Sequence, residues 1–258
     1  MRLMKRILSA AAVLALSASL LVGCSSGTAS SVPVSASSAA ESTVSSVEET
    51  ASSAVDENEA AAAQLLNDLT GSYQELWPVI LADEYKQTWL DDCTALVGED
   101  NAEAAFEKLS SMVTGDVYGE DAVKAYANGG GAYFCGFTNS LAILTFDGET
   151  STISGTDKDG NVVFSHAYHY IGMEPVRGLY EFESDDADSG EFTYFFLAPD
   201  TSAETYHIEF RYGSDAEALS QYDTGEYAYW LASGISTDCD QTMIDNCIEL
   251  FCTENLAG

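Results

Sequence analysis

Imidazole is scarce in this sequence: His166, His169 and His207 are the whole supply. Each lies in a stretch whose apolar residues alternate as in a strand. Alternation puts Thr205, His207, Glu209 and Arg211 on one face, so an imidazole and a carboxylate stand two residues apart. Such a pair begins a divalent-metal site, since zinc takes three or four N, S or O ligands at ~2.0–2.3 Å. Glu209 has a second reading, as the ion-pair partner of Arg211. His166 shares a face with Tyr168 and Tyr170, and His169 lies on the other face. Either is a candidate to reach His207 across the fold, and a histidine bonded to tyrosine or water is the simpler reading of both. Thiolates joined with imidazole suit zinc or copper, but Cys93, Cys135, Cys239, Cys247 and Cys252 show neither C-x-x-C nor zinc-ribbon spacing. Asp185, Asp186 and Asp188 form an acidic turn that lacks the Gly and Glu positions of a calcium loop, and it reads as solvated. No Gly-x-Ser-x-Gly elbow, His-Glu-x-x-His, P-loop or dinucleotide fingerprint occurs. The expectation is a binding protein and not an enzyme.

The beginning of the chain addresses it. Arg2, Lys5 and Arg6 precede an apolar run of 16 residues, Ile7 to Val22, which is short for a spanning helix of ~20 residues and reads as a signal peptide. It ends in Leu21-Val22-Gly23-Cys24, a pattern that resembles the bacterial lipobox. Cys24 is therefore the expected first mature residue and lipid carrier, which places the protein outside the cytoplasm on a membrane anchor. Residues 24–56 follow as a Ser/Ala-rich tether with no aromatic residue, unable to bury enough surface to offset ordering. All 14 Tyr, 11 Phe and 3 Trp lie beyond residue 72, so the fold is assigned to residues 57–258.

Charge narrows the partners. With Arg2, Lys5 and Arg6 removed, 6 basic residues face 42 acidic ones, a formal −36. Nucleic acid and anionic headgroups are poor partners on this ground, cations are plausible ones, and solubility is the plainer meaning of the charge. Five cysteines besides Cys24 are an odd number, so at least one is not in an intrachain disulfide.

Periodicity gives helices first and strands afterwards. Apolar spacing predicts helices over Asn58–Leu69, Glu75–Leu90 with a bend at Pro78, Asn101–Met112 capped by Asn101, and Asp121–Ala127. After Gly129-Gly130-Gly131 the period shortens. Strands are expected over Ala132–Phe137, Leu141–Phe146, Ser151–Ser154, Val162–Ile171, Arg177–Glu183, Glu191–Leu197, Thr205–Tyr212 and Tyr227–Leu231, with turns at Asp147-Gly148 and Asp159-Gly160. A terminal helix starts at Asp238 as N-cap. The fold class is mainly β with helices: an antiparallel, lipocalin/calycin-like barrel with N-terminal helices and a C-terminal helix.

In that order the segments resemble the ZinT family, a zinc-binding calycin-like barrel that is also the C-terminal module of AdcA-type lipoproteins. Leu69-Thr-Gly-Ser-Tyr-Gln-Glu-Leu-Trp-Pro78 is similar to the family's opening Gly-x-aromatic-Gln-x-x-aromatic-Pro. Gly136-Phe137-Thr138-Asn139, Tyr168-His-Tyr-Ile-Gly172, Val176-Arg-Gly-Leu-Tyr-Glu-Phe-Glu183, Gly190-Glu-Phe-Thr-Tyr194 and Tyr206-His-Ile208 resemble later family segments, over about residues 64 to 252. The resemblance implies zinc, or a similar divalent ion, captured for a metal ABC importer. It implies three metal histidines, of which only His207 has a counterpart here. Thr205 stands where the family's His-x-His begins, and Tyr194–Pro199 lacks the other. Glu209 and His166 are the candidate replacements. The alternative is a barrel that has lost its metal and binds a small organic ligand or a protein.

Overall fold

The computed structural model describes residues 57–127, 129–198 and 207–257. The expected signal peptide, the lipid carrier expected at Cys24, the expected tether and Thr205 lie outside the described residues. Residues 57–68 form helix α1. Then come β1 (Gly71–Glu75), α2 (Leu76–Ile80), a 3-10 turn (Asp83–Tyr85), α3 (Lys86–Val97), α4 (Glu99–Val113) and α5 (Glu120–Ala125). The remaining elements are β2 (Ile143–Asp147), β3 (Thr152–Thr156), β4 (Val162–Met173), β5 (Tyr180–Ser184), β6 (Tyr194–Leu197), β7 (His207–Gly213), α6 (Ala216–Leu219), β8 (Ala232–Ser236) and α7 (Gln241–Leu256). The eight strands pair antiparallel with their sequence neighbours, and β1 pairs with β8 to close a calycin-like barrel.

Closure explains two strands that periodicity missed. Gly71–Glu75 has one fully buried side chain, Tyr73, and runs straight into α2. Apart from Ile235, Ala232–Ser236 is built of small residues with little strand propensity. Both are strands because the neighbouring backbones need partners: Tyr73 pairs with Ser236 and with Leu144, and Ile208 with Gly234. Conversely, Ala132–Phe137 and Tyr227–Leu231 make only isolated bridges, Phe134 with Trp230 and Phe134 with Thr114. The caps also differ from expectation. Asp240, not Asp238, accepts from the Met243 amide at 3.0 Å, and α4 begins at Glu99 after Gly98 rather than at Asn101.

Pairing fixes the two faces of the wall. The inner face carries Leu144, Phe146, Ile153, Phe164, Tyr168, Phe182, Phe195, Ile208, Phe210 and Tyr212, all under 5 % exposed. Their rings interlock: Phe164 stacks on Phe192 with centroids 3.9 Å apart, and Tyr212 stacks on Phe195 at 5.3 Å. The segment Gly136–Thr138 packs against them, with Phe137 on Phe210 at 5.3 Å, Thr138 N donating to Tyr212 Oη at 2.6 Å and Trp230 Nε1 donating to Gly136 O at 2.9 Å. The helices form a second core against the outer face. There Leu76, Trp77, Ile80, Trp89, Leu109, Ile235, Ile244 and Ile248 are buried together.

Candidate functional site

The inner residues of β7 are Ile208, Phe210 and Tyr212, so His207, Glu209 and Arg211 take the outer face. The shared face of His207 and Glu209 is as the sequence predicts. Its direction is away from the barrel interior, because the aromatic set on the alternate positions fills it. Across the ladder His207 pairs with Ile235 and Glu209 with Ser233.

Over this face lie α2 and α7. Together they enclose a small cavity of about 30 Å³ lined by His207, Glu209, Trp77, Cys247, Phe251 and Glu254, among others. That volume holds one water or ion. Glu209 is placed near two buried thiols. Cys247 is pushed up to about 12, first by burial and then by the charges of Glu209, Cys239 and Glu254. Cys135 is likewise pushed up to about 12, first by burial and then by Glu209. Both are therefore protonated at neutral pH. Sequence reasoning weighed the terminal-helix cysteines as thiol ligands but missed Glu254. The seven-residue spacing of Cys247 and Glu254 puts them on one helix face, and nothing local links that face to His207.

Among the described residues, no three His, Cys, Asp or Glu side chains are grouped so as to hold a metal ion. Zinc would bind here only if its ligands closed upon it.

His166 does not join His207. It lies on the inner face of β4, paired with Ile153, and its Nδ1 shares a hydrogen bond with Asp186 Oδ2 at 2.8 Å. His169, on the opposite face, meets Asp185 Oδ1 through Nδ1 at 2.7 Å. Two consecutive aspartates after β5 thus grip two histidines on opposite faces of β4. The acidic turn is a clasp rather than a merely solvated loop, and the histidines' partners are carboxylates rather than tyrosine or water.

Arg211 is fully buried on the outer face. Its guanidinium donates to the carbonyls of Leu219, Gln221 and Tyr227 and stacks on Tyr222, with Cζ 4.4 Å from the ring centroid. Arg177 stacks on the same ring at 4.2 Å. Burial holds the Arg211 guanidinium below its usual range. A second opening, an apolar cleft of about 290 Å³, lies between α2 and the end of α4, lined chiefly by Trp77, Pro78, Leu81, Val113, Phe134 and Cys135.

No family model matches the sequence, and no curated protein does. In structure the chain is similar to the Zn(II)-bound ZinT-like domain of Streptococcus pneumoniae AdcA, with 16 % identity and a TM-score of 0.45 over 71 % of this chain and 89 % of that one. It is similar also to Zn(II)-bound AdcA from Streptococcus pneumoniae, with 17 % identity and a TM-score of 0.41 over 72 % of this chain. The chain spans 35 % of the length of that second protein. No helix among the described residues is long and apolar enough to cross a membrane.

Proposed function

We propose that this chain is an extracytoplasmic binding protein, held to the membrane by lipid on Cys24 and spaced from it by residues 25–56. It captures a divalent cation, zinc foremost, for a metal importer of the ABC type, with His207 and Glu209 as its first ligands. One observation carries this reading: His207 and Glu209 line a single ion-sized cavity with Glu254 and Cys247. The formal charge of −36 after signal removal raises the local cation concentration at such a pocket. Cys247 enters as a ligand only after losing its proton, so imidazole and carboxylate take the lead. His166 stays with Asp186 and takes no part.

A second reading has its own observation. The apolar cleft beside Trp77 is large enough for a small organic molecule, and the aromatic rings packed inside the barrel are what a barrel relieved of metal binding would keep. This reading makes the protein a carrier of an uncharged organic ligand.

Calorimetric titration of Zn(II) into the reduced chain, beside a His207→Ala variant, separates the two. Tight one-site binding that weakens more than the ~10–100-fold caused by changing an outer-shell partner supports the cation reading. Flat traces, or weak binding unchanged in the variant, sink it and direct the search to the cleft.

A further inference from the structure

Helices α3 and α7 meet over a pair of cysteines. Cys93 and Cys252 are both fully buried, and their sulfurs lie 3.9 Å apart. One turn before Cys93, Trp89 packs edge-on against Phe251, the neighbour of Cys252, with centroids 6.0 Å apart. The approach of the two sulfurs is therefore part of a continuous interface rather than a chance touch between loops. The other described cysteines are placed differently: Cys247 and Cys135 flank Glu209, and Cys239 is half-buried before α7.

We propose that Cys93 and Cys252 are a disulfide-forming pair, oxidised while the exported chain folds. A disulfide has its sulfurs ~2.05 Å apart, so ~1.9 Å of approach is needed at an interface where both side chains already point at each other. The oxidant is a disulfide, either a small one such as oxidised glutathione or that of an exchange protein. The thiolate of one cysteine attacks a sulfur of the oxidant, forms a mixed disulfide and releases the oxidant's other sulfur as a thiolate. The thiolate of the second cysteine then attacks the first and displaces the remaining oxidant sulfur. Two protons leave the protein and are taken up by the two released thiolates. The two electrons lost by the cysteines reduce the oxidant to two thiols.

Burial sets the timing. Neither sulfur reaches solvent in the folded chain, and burial raises both thiols above their ordinary range, so an oxidant finds few thiolates and no path. The bond forms during folding, before α7 closes on α3. It joins residues 159 apart in sequence, a long loop of the kind whose closure restricts the unfolded chain most. With this pair made, Cys135, Cys239 and Cys247 are left as thiols, which agrees with the odd count requiring at least one cysteine outside an intrachain disulfide. It is independent of whether a cation binds at β7.

The test is peptide mapping of the full chain after refolding from denaturant in a mixture of oxidised and reduced glutathione, with acid quenching, alkylation and digestion. The expected result is a cross-linked peptide pair containing Cys93 and Cys252, with Cys135, Cys239 and Cys247 alkylated. Reductant should then lower Tm by about 10 °C, and a Cys252→Ala variant should show no such response. Alkylated Cys93 and Cys252 after oxidative refolding would overturn the proposal, as would either of them joined to a different cysteine. If Cys252→Ala does not fold, the map of the unaltered chain still decides.

Discussion

Arg211→Met tests the assignment of the buried guanidinium as a bracket between β7 and the segment after α6. Methionine keeps most of the stem volume and removes every donor. Three carbonyls, of Leu219, Gln221 and Tyr227, then lose a charged partner. At the low end of the cost of leaving a buried acceptor unmade, that is ~3 kcal/mol. The stack on Tyr222 contributes ~1 kcal/mol more. Against these stands the desolvation of the cation, which the variant no longer suffers. A delocalised, weakly hydrated guanidinium sits at the bottom of the several-kcal/mol range for a buried ion, so this recovers roughly 1–2 kcal/mol. The expected net loss is therefore about 2–3 kcal/mol, which for a chain of this size corresponds to a fall in Tm of about 5–10 °C. Urea unfolding followed by tryptophan emission measures it directly, because Trp230 lies 6.1 Å from Tyr227 and 4.9 Å from Tyr212. The slope with denaturant should stay the same. Arg211→Lys should also lose stability, since an ammonium cannot span three carbonyls. A midpoint for Arg211→Met equivalent to a change below ~0.5 kcal/mol would show that desolvation cancels the bonds, and the bracket would be refuted.

Alkaline pH should unfold the protein early. Cys135 and Cys247 rise from the ordinary 9.0 to about 12, and Tyr73 and Tyr222 from 10.0 to about 12, all first through burial. The folded form keeps these protons longer than the unfolded form does. The stability tied to them is thus complete below about pH 9 and disappears as pH climbs through about 12. Scanning calorimetry between pH 7 and 12 should show a plateau and then a steep decline, and a constant Tm above pH 10 would contradict the burial of these groups. Gly119→Ala should destabilise by roughly 1–3 kcal/mol. Gly119 has φ +69°, donates to Ala228 O at 2.6 Å, and would drive a Cβ into the Glu226 carbonyl. Gly190→Ala, also at positive φ but with open space around it, should cost less. Equal losses from the two, measured by urea unfolding, would mean that strain alone and not the contact sets the price.

The strand alternation that put His207 and Glu209 together could be read from the residues, because a period of two is a local property of the backbone. The same holds for His166 with Tyr168 and Tyr170 on the inner face of β4. Helices α4 and α7 were legible from apolar spacing, though their caps at Gly98 and Asp240 were not. The single helix expected over Glu75–Leu90 is instead α2, a 3-10 turn and the start of α3, which runs on to Val97. Strands β1 and β8 were not legible at all. Gly71–Glu75 and Ala232–Ser236 carry little pattern of their own, and ring closure makes them strands by offering backbone partners on both sides.

The sequence by itself determined the acidic charge, the barrel class, the pairing of His207 with Glu209 on one face, and the poverty of imidazole. Only the tertiary structure decided which way that face looks. Aromatic side chains at Ile208's alternate positions, Phe210 and Tyr212, fill the barrel and turn His207 and Glu209 outward, beneath α7. Tertiary structure also decided that His166 answers to Asp186 and that Cys93 meets Cys252. Those partners are 20 and 159 residues apart, and no local period links residues so distant. Their meeting depends on how the wall curves and where α7 docks, which the packing of the whole chain determines.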